Sequence, residues 1–174
     1  MTGTGSREPG AGLTPAQQQA VEEFKRLRGV EPFGPFVDLL ASPELMTRVG
    51  AVGEYLRYRS ALTPRLSEFA ILVTAAAWQQ RFEWDIHAPI ALKAGIPQKT
   101  LEELWSGVTP IDLDDDQQAL YDLCKELHRD HQVTPATRAR AIAALGEQGS
   151  MDAIGICGYY ALLAMVLNSQ ARVP

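Results

Sequence analysis

Glu83 and His87 are the two residues of this sequence whose types and spacing point most directly to chemistry. They stand four positions apart in an otherwise apolar surrounding, so on a helix they share a face, with Cβ atoms about 5–6 Å apart. A carboxylate at that distance can accept a hydrogen bond from the imidazole, fix the tautomer of the ring and raise its basicity. The pair is a candidate acid–base unit, and a surface helix pair that contributes roughly a few tenths of a kcal/mol is the alternative.

Glu68 is a third candidate, because it is a charged residue inside the apolar run of residues 66–72. A charge that enters an apolar helix needs water or a partner. The favourable dipole at a helix N-terminus would explain a carboxylate here, and so would a catalytic role. Both interpretations stay open at this point.

Three aromatic side chains, Trp78, Phe82 and Trp84, flank the Glu–His pair in the sequence. They could form the wall of a small-molecule pocket or pack in the core. Pro89 removes an amide that would bond back to Asp85, so the helix that carries the pair is predicted to begin near Phe82. At that helix end an anion such as a substrate carboxylate would also be favoured.

Helix starts recur along the chain and indicate an all-α fold. Thr14 followed by Pro15 supplies a capping oxygen and a proline at the first helical position. Comparable starts are Ser42-Pro43, Thr63-Pro64, Pro97, Asp114–Asp116 and Thr134-Pro135. No alternating run typical of a strand stands out, so we predict six or more helices in a single domain of residues 14–174. Residues 1–13, rich in glycine and poor in apolar side chains, are predicted to form a disordered tail.

Composition excludes several classes of protein. The 174 residues are 46% hydrophobic and 21% charged, as in an ordinary globular protein and unlike a disordered or collagenous one. The net charge of −5, without a dense basic run, argues against binding to nucleic acid. The apolar stretch of residues 69–78 is far shorter than the roughly 18 residues that a membrane span needs. We therefore expect a cytoplasmic protein without a membrane partner.

Cysteine and histidine usage predicts no metal site. Cys124 and Cys157 have no second thiol nearby in the sequence and are expected to be separate small core residues, not a redox dithiol. His128 and His131 lie three positions apart, but two histidines without a third ligand do not define a catalytic zinc site. Phosphate-loop and hydrolase motifs are also missing from the sequence.

Four motifs follow one another in a characteristic order. They are L-T-P-R-x-x-E ending at Glu68, an alanine-rich apolar helix reaching Trp78, F-E-W-x-x-H ending at His87, and A-x-x-x-G ending at Gly95. Over roughly residues 36–104 this order resembles the carboxymuconolactone decarboxylase family, which includes the alkylhydroperoxidase-D-like proteins. The resemblance implies an alkylhydroperoxidase-D-like helical bundle that assembles into homotrimers or homohexamers. It also implies sites that lie between helices, often near subunit interfaces.

The sequence departs from the peroxidase branch of that family. That branch looks like C-x-x-C-x-x-x-H, and its two cysteines would fall on Gln80 and Glu83. Glu68 and His87 match its proton-relay carboxylate and histidine, but disulfide-based peroxide reduction is not expected without the thiols. The decarboxylase branch looks more like E-L-x-x-H, with which Glu83 and His87 agree while Trp84 replaces the leucine.

These observations predict a carboxymuconolactone decarboxylase-like lyase that needs no metal or organic cofactor. It would act on a small carboxylated or lactone-like substrate through His87, Glu83 and Glu68, with Arg65 and Arg81 as candidate contacts for the departing anion.

Two alternatives stay open. One is peroxide or isomerase chemistry without a dithiol in the same pocket. The other is a non-catalytic oligomeric protein in which Trp78, Phe82 and Trp84 seat a small ligand. Self-association is expected in either case, because residues 154–167 are apolar on nearly all sides. A small monomer cannot bury that much apolar surface from one helix.

Overall fold

The computed structural model describes residues 12–170, and over that range the chain forms eight α-helices and no strand. The helices are α1 (Pro15–Arg28), α2 (Pro35–Leu39), α3 (Pro43–Tyr58), α4 (Pro64–Ala77), α5 (Arg81–Lys93), α6 (Gln98–Trp105), α7 (Asp115–Asp130) and α8 (Pro135–Gln170). The predicted all-α fold is confirmed. Residues 1–11 of the predicted disordered tail lie outside the described residues.

Local capping chemistry sets where several helices begin. The side chains of Thr14, Thr63 and Asp114 each accept a hydrogen bond from a backbone amide in the first turn of the helix that follows. Helices α3, α6 and α8 begin at or beside the predicted prolines. Helix α2 was not predicted, because its five residues are too few to show an apolar period.

The chain divides into two compact units, residues 1–51 and residues 52–174, with the boundary inside α3. In the first unit Phe24 of α1 packs against Phe36 of α2, with ring centroids 4.5 Å apart. The single-domain organisation of residues 14–174 stays a prediction.

The second unit is organised around α4, which contacts α5, α6, α7 and α8. Residues 67–75 of α4 are all buried, so this helix forms the centre of the unit's core. A polar side chain on this stretch must find its partner on one of the surrounding helices. Glu68 is such a side chain.

Helix α8 is interrupted at Gly146, whose φ of 74° and ψ of 168° are not helical. Within residues 12–170 it is the one helix long and apolar enough to cross a membrane, and half of its most apolar 18-residue window is buried inside the protein. Such burial is typical of a core helix.

The N-terminus of α7 provides a test by pH. Partial burial alone would raise the pKa of Asp114, but hydrogen bonds from the Gln117 amide and from Arg65 outweigh it and hold the pKa below its usual value of 3.8. We expect Asp114→Asn to lower the free energy of unfolding by about 0.5–1 kcal/mol at neutral pH, since asparagine keeps the cap but loses the charge.

Because the pKa of Asp114 is depressed by folding, this contribution is complete above the pKa of the unfolded chain and is lost as the pH falls through the folded value. The difference between wild type and Asp114→Asn should therefore shrink below about pH 4, which urea unfolding at a series of pH values would measure. A difference that stays constant down to pH 2 would contradict this account of the α7 cap.

Candidate active site

His87 is hydrogen-bonded to Glu68 across the contact between α5 and α4. Its Nδ1 lies 2.7 Å from Oε2 of Glu68, and the two residues are only 2% and 7% exposed. A carboxylate oxygen accepts, so the imidazole donates from Nδ1, and in the neutral ring Nε2 carries the lone pair. Glu68 thereby orients the ring and fixes its tautomer.

Glu83 approaches the opposite edge of the same imidazole. Its Oε2 lies 3.7 Å from Nε2 of His87, and its side chain is also buried. That distance is longer than a hydrogen bond but within the range of an ion pair. The sequence predicted that Glu83 and His87 share a helix face, which the structure confirms, whereas the short bond of His87 is made to Glu68.

The turn before α5 sets the position of this helix. Gln80 caps α5, with its Oε1 accepting from the Phe82 amide at 3.0 Å, while its Nε2 donates to Oδ1 of Asn168 on α8 at 2.7 Å. The helix begins at Arg81, one residue from the predicted start, and carries Pro89 within it. A buried glutamine thus stands where the peroxidase branch has its first cysteine, and it joins the end of α8 to the start of α5.

The three groups form a compact proton-holding cluster. Two carboxylates and one imidazole are withdrawn from water, and two adjacent buried anions cost much more than one. A proton shared among the three groups lowers that cost. The arrangement can hold a proton where Nε2 and Glu83 face each other, while Glu68 keeps the ring fixed.

Tyr160 on α8 belongs to the same site and was not predicted from the sequence. Its ring meets that of His87 edge to face, with centroids 5.1 Å apart and an interplanar angle of 89°. Burial raises the pKa of Tyr160 well above its usual value, the charges of Glu83 and Glu68 add to the rise, and Arg57 opposes it. The phenol therefore keeps its proton and can act as a hydrogen-bond donor. Helical spacing could not reveal it, since it lies far from His87 in the chain.

The predicted aromatic residues do not all gather at the Glu–His cluster. Trp84 is buried against Trp105 of α6, with ring centroids 4.8 Å apart, and so contributes to the core. Trp78 is partly buried and Phe82 is 37% exposed. The structure therefore places Trp84 in the packing of α5 on α6.

The two predicted anion contacts make their ion pairs elsewhere. Arg65 pairs with Asp114 at 2.6 Å, at the start of α7. Arg81 pairs with Asp85 at 2.7 Å along the exposed face of α5. The cation whose charge acts on Tyr160 is Arg57, a partly buried residue near the end of α3.

The cysteine prediction was wrong in one respect. Cys124 and Cys157 are both buried, as expected, but they are not separate, because the packing of α7 on α8 brings their Sγ atoms to 3.3 Å. Nε2 of His128 lies 3.0 Å from Oγ1 of Thr74, and His131 is the residue that follows the end of α7. Among residues 12–170 the structure shows no group of three or more metal-ligating side chains.

Comparison with known proteins agrees with this architecture. The model of the carboxymuconolactone decarboxylase family matches residues 43–126, a range that includes Glu68, Glu83 and His87. The crystal structure of an uncharacterized peroxidase-related protein from Silicibacter sp. TM1040 superposes with a TM-score of 0.70 at 16% identity, covering 99% of this chain and 95% of that one. No curated protein matches the sequence significantly. The helical fold is therefore shared with that protein at low sequence identity.

Proposed function

Because residues 43–126 match the model of the carboxymuconolactone decarboxylase family, we propose that this protein is a cofactor-independent acid–base enzyme of that type. The observation that carries the proposal is the buried imidazole of His87, held at Nδ1 by Glu68 at 2.7 Å and faced at Nε2 by Glu83 at 3.7 Å. The proposed substrate is a small carboxylated or lactone-like molecule.

The proposed reaction is a decarboxylation followed by protonation. The bond from carbon to the carboxylate breaks, carbon dioxide leaves, and the electron pair remains on the conjugated lactone. A proton must then reach that carbon, and the side of the cluster where Nε2 of His87 and Glu83 face each other delivers it. Glu68 holds the imidazole ring of His87 in one orientation throughout. Such positioned proton transfer typically contributes about 10²–10⁴ to the rate.

The positions that correspond to the peroxidase cysteines also favour this reaction. The side-chain amide of Gln80 uses its oxygen to cap α5 and its nitrogen to bond Asn168. The carboxylate of Glu83 faces the imidazole of His87. Neither group can act as a redox nucleophile. Of the two, Glu83 supports acid–base chemistry, while Gln80 has a structural role.

We propose Arg57 and Tyr160 as the groups that hold the substrate carboxylate. Arg57 supplies a positive charge that acts on Tyr160, and Tyr160 supplies a neutral hydroxyl that stays protonated. This assignment differs from the sequence prediction of Arg65 and Arg81, whose charges are already paired with Asp114 and Asp85. A compact substrate fits best, because His87 is only 2% exposed and side chains must move to admit any ligand.

A panel of small lactone acids and β-keto acids, assayed without added thiol, tests the proposal. We expect carbon dioxide release from at least one lactone acid, with no requirement for added metal. Binding of these acids without turnover would favour the non-catalytic alternative. Turnover confined to hydroperoxides, assayed beside them, would favour peroxidase-like chemistry. Either outcome would overturn the proposed reaction.

We also propose that the protein self-associates through α8. Met151, Ile154 and Met165 are 64%, 37% and 53% exposed on that helix and recur at helical spacing. Trimers or hexamers would cover this face, so light scattering should report a multiple of 19.0 kDa.

Ile154→Asp should shift the oligomer toward the monomer, because a charge cannot be buried unpaired in an apolar interface. Ile111→Asp is the matched control, since Ile111 is 74% exposed and lies outside α8. A 19.0 kDa particle at micromolar concentration of the wild type would contradict the proposal.

A further inference from the structure

The two cysteines form a pair on facing helices, apart from the residues used in the proposed lyase reaction. Cys124 lies on α7 and Cys157 on α8, with Sγ atoms 3.3 Å apart. A disulfide bond is about 2.05 Å long, so the sulfurs need to approach by little more than an ångström to join. The two thiols are therefore positioned for an intramolecular redox reaction.

The surroundings of Cys157 favour its thiolate. The pKa of Cys157 is lowered to about 5, first by its contact with the Cys124 thiol and then by His128, which together outweigh the effect of burial. The same contact and burial raise the pKa of Cys124 well above its usual value. Cys157 is therefore the candidate nucleophile of the pair, and Cys124 the candidate for the thiol that keeps its proton.

Thr74 and His128 complete the cluster. The Thr74 hydroxyl donates to the Ala70 carbonyl at 2.9 Å, so toward His128 it accepts, and Nε2 of His128 at 3.0 Å is the donor. Cys157 is therefore faced by Cys124 and His128 from α7 and by Thr74 from α4. His128 is the partly exposed residue of the cluster.

We propose that Cys124 and Cys157 are a redox-active dithiol that a small hydroperoxide oxidises to an intramolecular disulfide. The Cys157 sulfur attacks one peroxide oxygen, the oxygen–oxygen bond breaks, and an alcohol or water leaves with a proton. The resulting sulfenic acid on Cys157 is attacked by the Cys124 sulfur, so that the disulfide forms and water leaves with the thiol proton. In sum, two thiols and one hydroperoxide give one disulfide, one alcohol or water, and one water.

Burial limits the oxidant to a small molecule. Cys124 is fully buried and Cys157 is 3% exposed, so a bulky aromatic disulfide cannot reach either sulfur in the folded protein. Hydrogen peroxide is a much smaller molecule, and in this proposal it enters beside His128, the partly exposed residue of the cluster. The site therefore favours peroxide over exchange with a large disulfide.

The experiment treats the 174-residue chain with a small excess of hydrogen peroxide and follows free thiols and intact mass. We expect both thiols to disappear together, the mass to fall by two hydrogen atoms, and a peptide map to link Cys124 to Cys157. Dithiothreitol should restore both thiols. An aromatic disulfide reagent should react at least tenfold more slowly than it does with the denatured chain.

Single variants test the assigned roles. In Cys124→Ser the sulfenic acid on Cys157 has no partner, so dimedone should label it, whereas in Cys157→Ser oxidation of Cys124 should be roughly tenfold slower. His128→Asn should move the pH dependence of the oxidation rate to higher pH, because the thiolate of Cys157 loses a stabilising neighbour. His131→Asn is the matched control and should leave the profile unchanged, since asparagine tolerates the left-handed backbone at that position.

Three outcomes would overturn the proposal. The thiols could survive peroxide until the protein is denatured, they could join between molecules, or Cys157 could pass to sulfinic acid while Cys124 stays a thiol. Each of these outcomes is measured on the two cysteines alone. The result is therefore independent of whether the lyase reaction proposed for His87 is found.

Discussion

Replacing His87 with alanine or Glu68 with glutamine should each lower kcat/KM for the lactone-acid reaction by about 10²–10⁴, the usual contribution of a positioned proton-transfer group. His87 holds the proton-transferring nitrogen, and Glu68 fixes the ring through its 2.7 Å bond to Nδ1. Glu83→Gln should have an effect of the same order, because Glu83 faces Nε2. The double variant of His87 and Glu68 should be little worse than either single variant, since groups that act as a unit are not additive.

Asp85→Asn is the matched control for these carboxylate variants. Asp85 lies on the same helix, but its side chain is exposed and pairs with Arg81. It should keep wild-type turnover. If the Glu–His cluster were only structural, the variants would instead lose about 1–3 kcal/mol of folding free energy and their activity would follow the folded fraction.

Asp152→Ala should produce the largest loss of stability, about 2–4 kcal/mol in the free energy of unfolding. Asp152 is buried on α8, and its two oxygens accept from the Tyr55 hydroxyl at 3.0 Å and from the Ala61 amide at 2.7 Å. Both donors would lose a hydrogen bond to a charged group at once, and such a bond contributes about 1.5–3 kcal/mol, at the lower end here because Tyr55 is only partly buried and Ala61 is exposed. Urea unfolding followed by circular dichroism would measure the loss.

Tyr55→Phe separates the two bonds of Asp152, because it removes the hydroxyl donor and leaves the Ala61 amide bonded. We expect it to cost about 1–1.5 kcal/mol, less than the Asp152→Ala effect. Equal losses in the two variants would contradict the assignment, since the amide bond would then contribute nothing.

The helices were predictable from the sequence because their signals are local. A capping residue such as Thr63 and the proline that follows it act within one turn, so the starts of α1, α4 and α7 needed no knowledge of the tertiary fold. Helix α2 lay below the length at which an apolar period can be recognised. The family resemblance, confirmed over residues 43–126, added the alkylhydroperoxidase-D-like fold that these local signals cannot specify.

The site was only partly predictable, because most of its contacts join different helices. Glu83 and His87 share α5, and their approach follows from helical spacing. The bond from His87 to Glu68 and the ring contact with Tyr160 depend on how α4, α5 and α8 pack. The pairing of Cys124 with Cys157 depends on the packing of α7 on α8 in the same way, so sequence separation gave the wrong expectation.

The most direct test of the proposed function compares His87→Asn with His131→Asn. Asparagine can place its amide near the position of Nδ1 and so keep a donor for Glu68, but it has no atom in place of Nε2. Turnover of a lactone acid and the thermal midpoint should be measured on the same samples. We expect His87→Asn to lose at least about 10² in kcat/KM with a nearly unchanged midpoint, while His131→Asn keeps both. Wild-type turnover in folded His87→Asn would contradict the role of Nε2 in proton transfer and, with it, the proposed function.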